Sequence, residues 1–303
     1  MKLAQQWLRG GVFFALLFPA VSNAQVDVTL GLKLWNSDGK TQWDFTSGSP
    51  TLGDPTSQLS YTGMKALTYE LNTTAFWRRK GFFVRGQLGF GKIDHGILRD
   101  EDWDNFQVKF SDTNSDLKEG RLDYFFIDGG LKLLSSKQGK VKVDGFAGIG
   151  MYNEKINAYG ITQTIGPVLP SDNLPDSIIV LGNNVQWLIL RLGSDVTVKL
   201  SERFSFRTSA AWVPYAKVKD DDSHFLRSDL GEVPNVLIRG SGITNGAMID
   251  AEFAFAINKA ASLTAGYRFW EFKAKSSEGA GANSVNHFET RRQGFLLGFS
   301  YKF

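Results

Sequence analysis

From Gln25 onward the chain breaks into segments of roughly 10 to 20 residues in which alternate positions are apolar or aromatic and those between are small or polar, with Gly, Asn, Asp and Ser clusters separating them. Sustained helical periodicity is absent. In the last segment, HFETRRQGFLLGFSYKF, Phe295, Leu297, Phe299, Tyr301 and Phe303 share one face, and Gly294, Gly298, Ser300 and Lys302 share the other. Aromatic-out, small-or-polar-in alternation is the pattern of a strand with one face against lipid.

The same reading predicts about ten strands, near 25–37, 56–78, 82–102, 117–135, 140–158, 184–200, 203–219, 245–258, 262–275 and 287–303, an even count that suits a closed antiparallel barrel. Short connections (Arg79 to Gly81, Ser136 to Gly139, Ser201-Glu202 and Lys259 to Ala261) alternate with long ones near 38–55, 103–116, 159–183, 220–244 and 276–286. In bacterial barrels short turns are periplasmic and long loops extracellular. Alternation assigns Glu70, Arg85, Arg191, Asp195, Arg207, Asp250, Glu252, Arg268 and Arg292 to the interior. Their mixed signs suit pairing across a narrow lumen, which disfavours an open diffusion channel.

The start of the chain fits that picture. Lys2 and Arg9, the short apolar run from Val12 to Phe18, and Ser22-Asn23-Ala24 read as a secretory signal peptide over 1–24, which leaves a barrel domain over 25–303. No stretch of about 20 apolar residues follows, so a membrane-spanning helix is not expected. The terminal Phe303, preceded by alternating apolar residues, resembles the closing strand of bacterial outer-membrane barrels. The expectation is therefore an all-β transmembrane barrel in the outer membrane of a Gram-negative bacterium. Loss of 1–24 removes two basic residues and no acid, leaving 32 basic against 31 acidic side chains, so a nucleic-acid partner is not expected. With no Cys there is neither a disulfide nor a thiol nucleophile.

Two acidic stretches carry the candidate chemistry. RDEDWDN (99–105) closes the third predicted strand, and two-residue spacing puts Asp100 and Asp102 on one face. KVKDDDSHFLR (217–227) closes the seventh, with Asp222 and His224 in the same relation. Strands three and seven lie four apart in a ring of ten, so the two pairs should oppose each other across one rim. Each stretch alone reads more simply as a solvated rim. A calcium loop built on Asp100, Asp102 and Asp104 is a poor fit, because Asn105 and Ser111 stand where Gly and Glu are wanted, and no metal site is expected. His95 and His287, the other histidines, are expected to face headgroups or neighbouring strands.

The two stretches resemble the omptins, ten-stranded outer-membrane proteases whose site combines an Asp-x-Asp-Trp segment with an Asp-x-His segment. Asp100-Glu101-Asp102-Trp103 and Asp222-Ser223-His224 match, Ser57-Gln58-Leu59 opens the second strand similarly, and Asp220 stands where omptins carry an acid that binds a basic substrate side chain. The resemblance implies an aspartic-type endopeptidase cleaving peptides or proteins at the cell surface near basic residues. His224 would act as general base on a water, Asp222 would orient it, and Asp100 with Asp102 would hold the water. Two close carboxylates should titrate as one unit with one pKa raised. No cofactor is implied beyond lipopolysaccharide, which omptins hold partly through Tyr-x-Glu-x-Arg on the outer wall. Tyr152-Asn153-Glu154 matches its start, but Ile156 replaces the Arg. For a second substrate-binding acid the nearby candidates are Asp38 and Asp44. The alternatives are a non-catalytic omptin-like barrel with an adhesive or structural role, a small channel, and, more weakly, a lipid hydrolase using Ser223 or another Ser with His224.

Overall fold

The computed structural model describes residues 26–166, 173–278 and 284–303. The expected signal peptide lies outside them. Ten antiparallel strands, β1 (Val26–Thr46), β2 (Leu52–Trp77), β3 (Phe82–Asp104), β4 (Lys109–Ser135), β5 (Val141–Ile165), β6 (Asn173–Lys199), β7 (Phe204–His224), β8 (Val236–Ala256), β9 (Ala261–Glu278) and β10 (Ser284–Lys302), pair with their sequence neighbours. β1 also pairs with β10, with Thr29 opposite Lys302, so the barrel is closed.

The expected alternation is visible in exposure: Phe295, Leu297 and Phe299 are 70 %, 61 % and 43 % exposed, whereas Leu296 between them is 1 % exposed. The outward row continues through Leu32 and Leu34 on β1 and Leu188, Leu190 and Leu192 on β6, a belt suited to lipid. Inside, Trp35, Tyr124, Tyr152, Trp187, Trp270 and Phe272 are fully buried, with Trp35 and Tyr124 centred 5.0 and 4.9 Å from Trp270. Gly89 makes room for Tyr124 and Gly150 for the equally buried Phe126, because a Cβ on either glycine would overlap that ring.

Charges complete the filling. Arg268 meets Glu70 at 2.5 Å and Asp250 at 2.7 Å between the faces of Trp35 and Trp270. Arg85 and Arg191 both meet Asp128 at 2.8 Å, Arg85 and Arg207 meet Asp195 at 2.8 and 2.6 Å, and Arg292 meets Glu154 at 2.8 Å. Such pairs persist in a low dielectric only when nearly every donor and acceptor is matched. The lumen at this height is thus filled by aromatic rings and paired charges.

The strands extend farther than the sequence pattern indicates. They run 18 to 27 residues, about twice the 9 to 11 that cross a bilayer, and the excess projects beyond the rim opposite the termini. Much of the predicted loop sequence is therefore strand, and the described connections at that rim shrink to 47–51, 105–108 and 225–235. The reason is physical: apolar alternation marks contact with lipid and stops where lipid stops, but backbone pairing continues into water. Beyond Tyr215 on β7 the outward positions become Lys217, Lys219 and Asp221, while Val218, Asp220 and Asp222 still face inward.

Candidate active site

Both acidic stretches lie on these projecting strand ends. On β3, Asp100 pairs in register with Leu59 of β2 and Thr113 of β4, and Asp102 with Ser57 and Ser111. On β7, Asp222 stands opposite Asn183 of β6 and Val236 of β8, and His224 opposite Leu181. Strands β4, β5 and β6 separate the two walls along the ring, and the charges of Asp100 and His224 act on each other across the mouth.

The outer face of the β3–β4 hairpin braces the first wall. Arg99 holds Asp112 at 3.0 Å, Lys109 lies 3.1 Å from Asp112 and also binds Glu101, and the Lys109 ammonium sits 5.5 Å from the Trp103 ring centre. Of the four acids in RDEDWDN, only Asp100 and Asp102 thus turn into the mouth, while Glu101 is spent on the outer wall. Ser57 donates to Asp100 at 3.4 Å, and the Ser57 and Ser111 hydroxyls also serve Asp102. Burial, and then the Asp102 charge, push the Asp100 carboxyl up to about 7, and burial raises Asp102 as well.

On the second wall His224 Nε2 lies 3.3 Å from the fully buried Asp222 carboxylate. The Asp222 oxygens have no hydrogen-bond partner among the described residues. Burial alone would lower the His224 pKa, but contact with Asp222, aided by Asp100, outweighs it and the net shift is upward. Asn235 clamps the His224 backbone, accepting from its N–H at 2.9 Å and donating to its carbonyl at 3.1 Å. The carboxylate beside Nε2 favours the tautomer that carries its proton on that nitrogen, which leaves Nδ1 as the proton acceptor.

Asp220 lies one pleat deeper. It is fully buried, both oxygens accept from Asn183 Nδ2 at 2.9 and 2.8 Å, and burial with the neighbouring Asp222 raises its carboxyl well above the usual range. Three groups at the mouth were not singled out by sequence reasoning. The Tyr61 hydroxyl is buried without a partner among the described residues, and burial followed by the charges of Asp222, Asp220 and Asp100 pushes its pKa up. It shares a face with Ser57 and Leu59, so parity along β2 would have found it. Asn183 had no signal of its own, because its role comes from register with β7. Arg227, paired with Asp229 at 2.8 Å, also acts on Asp102 and Asp100.

Two expectations fail. Tyr152, Glu154 and Ile156 all point into the lumen, where the Tyr152 hydroxyl donates to Glu154 at 2.5 Å and Glu154 pairs with Arg292. A lumen-facing triplet cannot touch lipid on the outer wall, so the lipopolysaccharide match does not hold. Asp38 lies on the exterior, paired with Lys65, and Asp44 lies on the face opposite the inward Trp43, so neither supplies a second acid to the mouth. His95 is exposed, with Nδ1 2.6 Å from the Asp94 carbonyl, and His287 lies 3.3 Å from Glu289. Among the described residues no cluster of His, Asp and Glu is arranged to hold a metal.

Solved structures place the architecture. The outer-membrane protease OmpT of Escherichia coli superposes with a TM-score of 0.71 over 91 % of this chain and 97 % of its own, at 13 % identity. The fold is that of an outer-membrane β-barrel. The translocator domain of the autotransporter NalP from Neisseria meningitidis covers all of this chain at 13 % identity, with a TM-score of 0.39. No family model and no curated protein matches the sequence.

The raised Asp100 pKa has a consequence for stability. A carboxyl with a folded pKa near 7 and an unfolded pKa near 3.8 favours the folded state fully below pH 3.8, and that contribution is lost as pH rises through 7. Asp100→Asn should therefore stabilise the barrel at pH 8 by about 1 to 3 kcal/mol, discounting for its partial exposure, and leave it unchanged at pH 4. Denaturation midpoints at the two pH values check this; equal shifts at both would show that Asp100 ionises freely.

Proposed function

We propose that the chain is an omptin-like endopeptidase of the outer membrane, its acidic mouth turned to the cell exterior, that hydrolyses peptides beside basic residues. The observation that carries the reading is the opposition of Asp100 and Asp102 to Asp222 and His224 across one mouth, each pair projecting from the end of a rigid strand. A water held by Asp100 and Asp102 attacks the scissile carbonyl carbon. Its proton passes to His224 Nδ1 and then to the leaving amine, while Asp222 stabilises the imidazolium. Water is the nucleophile, so no acyl-enzyme forms. The packed lumen weighs against a channel.

Asp220 supports the choice of substrate. A buried carboxyl held up in pKa gains most from a cation, which favours its charged form and fills its unmet acceptor capacity. Cleavage should therefore prefer a basic residue beside the scissile bond, and Asp220→Asn should narrow the kcat/KM gap between basic and neutral peptides by about tenfold or more. Equal cleavage of both peptides by the unmutated protein would remove Asp220 from this role. Protein or peptide substrates at the cell surface are the proposed partners, together with the surrounding lipid and lipopolysaccharide, which would contact outward side chains other than the Tyr152 to Ile156 segment.

A further inference from the structure

The opposite end of the barrel has the opposite charge. Within the ring of turns at the termini lies an open cup of about 390 Å³ whose walls carry Lys140, Lys142, Lys199, Arg203, Lys259 and Lys302 against a single lining acid, Glu202. Two of these cations have counter-ions: Lys199 lies 3.4 Å from Glu202 and Lys302 3.1 Å from Asp27. Lys140, Lys142, Arg203 and Lys259 have no ion pair among the described residues. Ser and Thr hydroxyls make up much of the wall between them.

Deeper along the same strands paired charges fill the lumen, where Arg207 is tied to Asp195 at 2.6 Å and Arg85 to Asp128 at 2.8 Å. Alternation on β5 turns Lys142 inward, in phase with the buried Phe146, so this charge belongs to the concavity and not to the lipid-facing wall. Like charges gathered in a concavity bounded by low-dielectric walls repel one another, and the same geometry focuses their field on whatever enters. Because paired charges and aromatic rings fill the lumen behind, that field serves retention and not conduction.

We infer that the cup at the termini end binds a multiply charged anion, a ligand bearing several carboxylates or phosphates, with the four unpaired cations as its main contacts and the hydroxyls as secondary donors. The spread of those cations over the β4–β5, β6–β7 and β8–β9 turns suits an extended anion lying across the mouth better than a single phosphate. This site is independent of the acidic mouth and of any peptidase activity there.

The test uses full-length mature protein folded in zwitterionic micelles and a fluorescein-labelled decaglutamate as probe, with inorganic tripolyphosphate as competitor. Saturable binding should weaken at least tenfold in Lys140→Gln/Lys142→Gln/Lys259→Gln and stay unchanged in Lys92→Gln/Lys118→Gln/Lys155→Gln, which removes three exposed lysines elsewhere. Displacement by tripolyphosphate would assign the site to anions in general, and failure of displacement to carboxylate polymers. If the triple variant does not fold, by heat-modifiable gel mobility, Lys259→Gln alone and the salt dependence of the unmutated protein carry the test: affinity should fall steeply between about 50 and 200 mM salt. Undiminished binding in the cup variants, equal loss in the control, or no salt dependence would overturn the inference.

Discussion

His224→Ala should lower the rate of peptide cleavage by a factor on the order of 10² to 10⁴, the usual cost of losing a positioned general base, while leaving the barrel folded. The fold should survive because His224 is the last residue of β7, beyond the lipid belt, and its backbone is held by Asn235 whatever the side chain. Asp222→Asn should fall in the same range by a different route: the ring keeps its place but loses the carboxylate that stabilises its charged form. The pH profile follows from the same contacts. The His224 pKa is raised, so the neutral imidazole that accepts a proton becomes dominant only above the ordinary histidine range, and Asp100 ionises at about 7. Activity should therefore be low at pH 5 and rise through neutrality. In Asp222→Asn the histidine limb should move to lower pH, because the partner that raised it is gone. An acid limb that does not move would show that a group other than His224 governs the rate.

Arg268→Met should be the most damaging single change to the fold, costing about 3 to 5 kcal/mol. Arg268 is completely buried, satisfies Glu70 and Asp250 together, donates to the Tyr124 hydroxyl at 3.1 Å, and lies between two tryptophan faces. Methionine fills much of the volume but leaves two acids in the lumen without a counter-charge. Replacing Glu70 with Gln and Asp250 with Asn in the same chain should recover a substantial part of the loss, because the penalty belongs to the unpaired charges. Urea midpoints of the single and triple variants in one micelle system decide the matter. A triple variant as unstable as Arg268→Met would assign the loss to packing.

The barrel was legible in the sequence wherever one face of a strand meets lipid, since alternation with exposed Phe and Leu on β10, β1 and β6 has no other use. It was less legible above the lipid, where outward residues such as Lys217, Lys219 and Asp221 turn polar and the predicted seventh strand stops at 219, short of the observed end at His224. The four candidate residues were visible through two-residue spacing on two strands, because parity decides which side chains share a face. Their burial was not visible. Asp220 and Asp222 read as solvated rim acids, yet the projecting strands bury them completely, and Asp100 is half-buried. Tyr152 and Glu154 show the converse: two matching positions said nothing about the direction they face, and one pleat turns them from lipid to lumen.

The central claim is that the acids of β3 and the pair on β7 form one catalytic unit. The most direct test is a double-mutant cycle on a single basic peptide: unmutated protein, Asp102→Asn, His224→Ala and both together, with heat-modifiable gel mobility confirming the fold of each. Groups that act on the same water are strongly non-additive, so the double variant should be little slower than His224→Ala alone. Full activity in His224→Ala, or single losses that simply multiply in the double variant, would contradict the account.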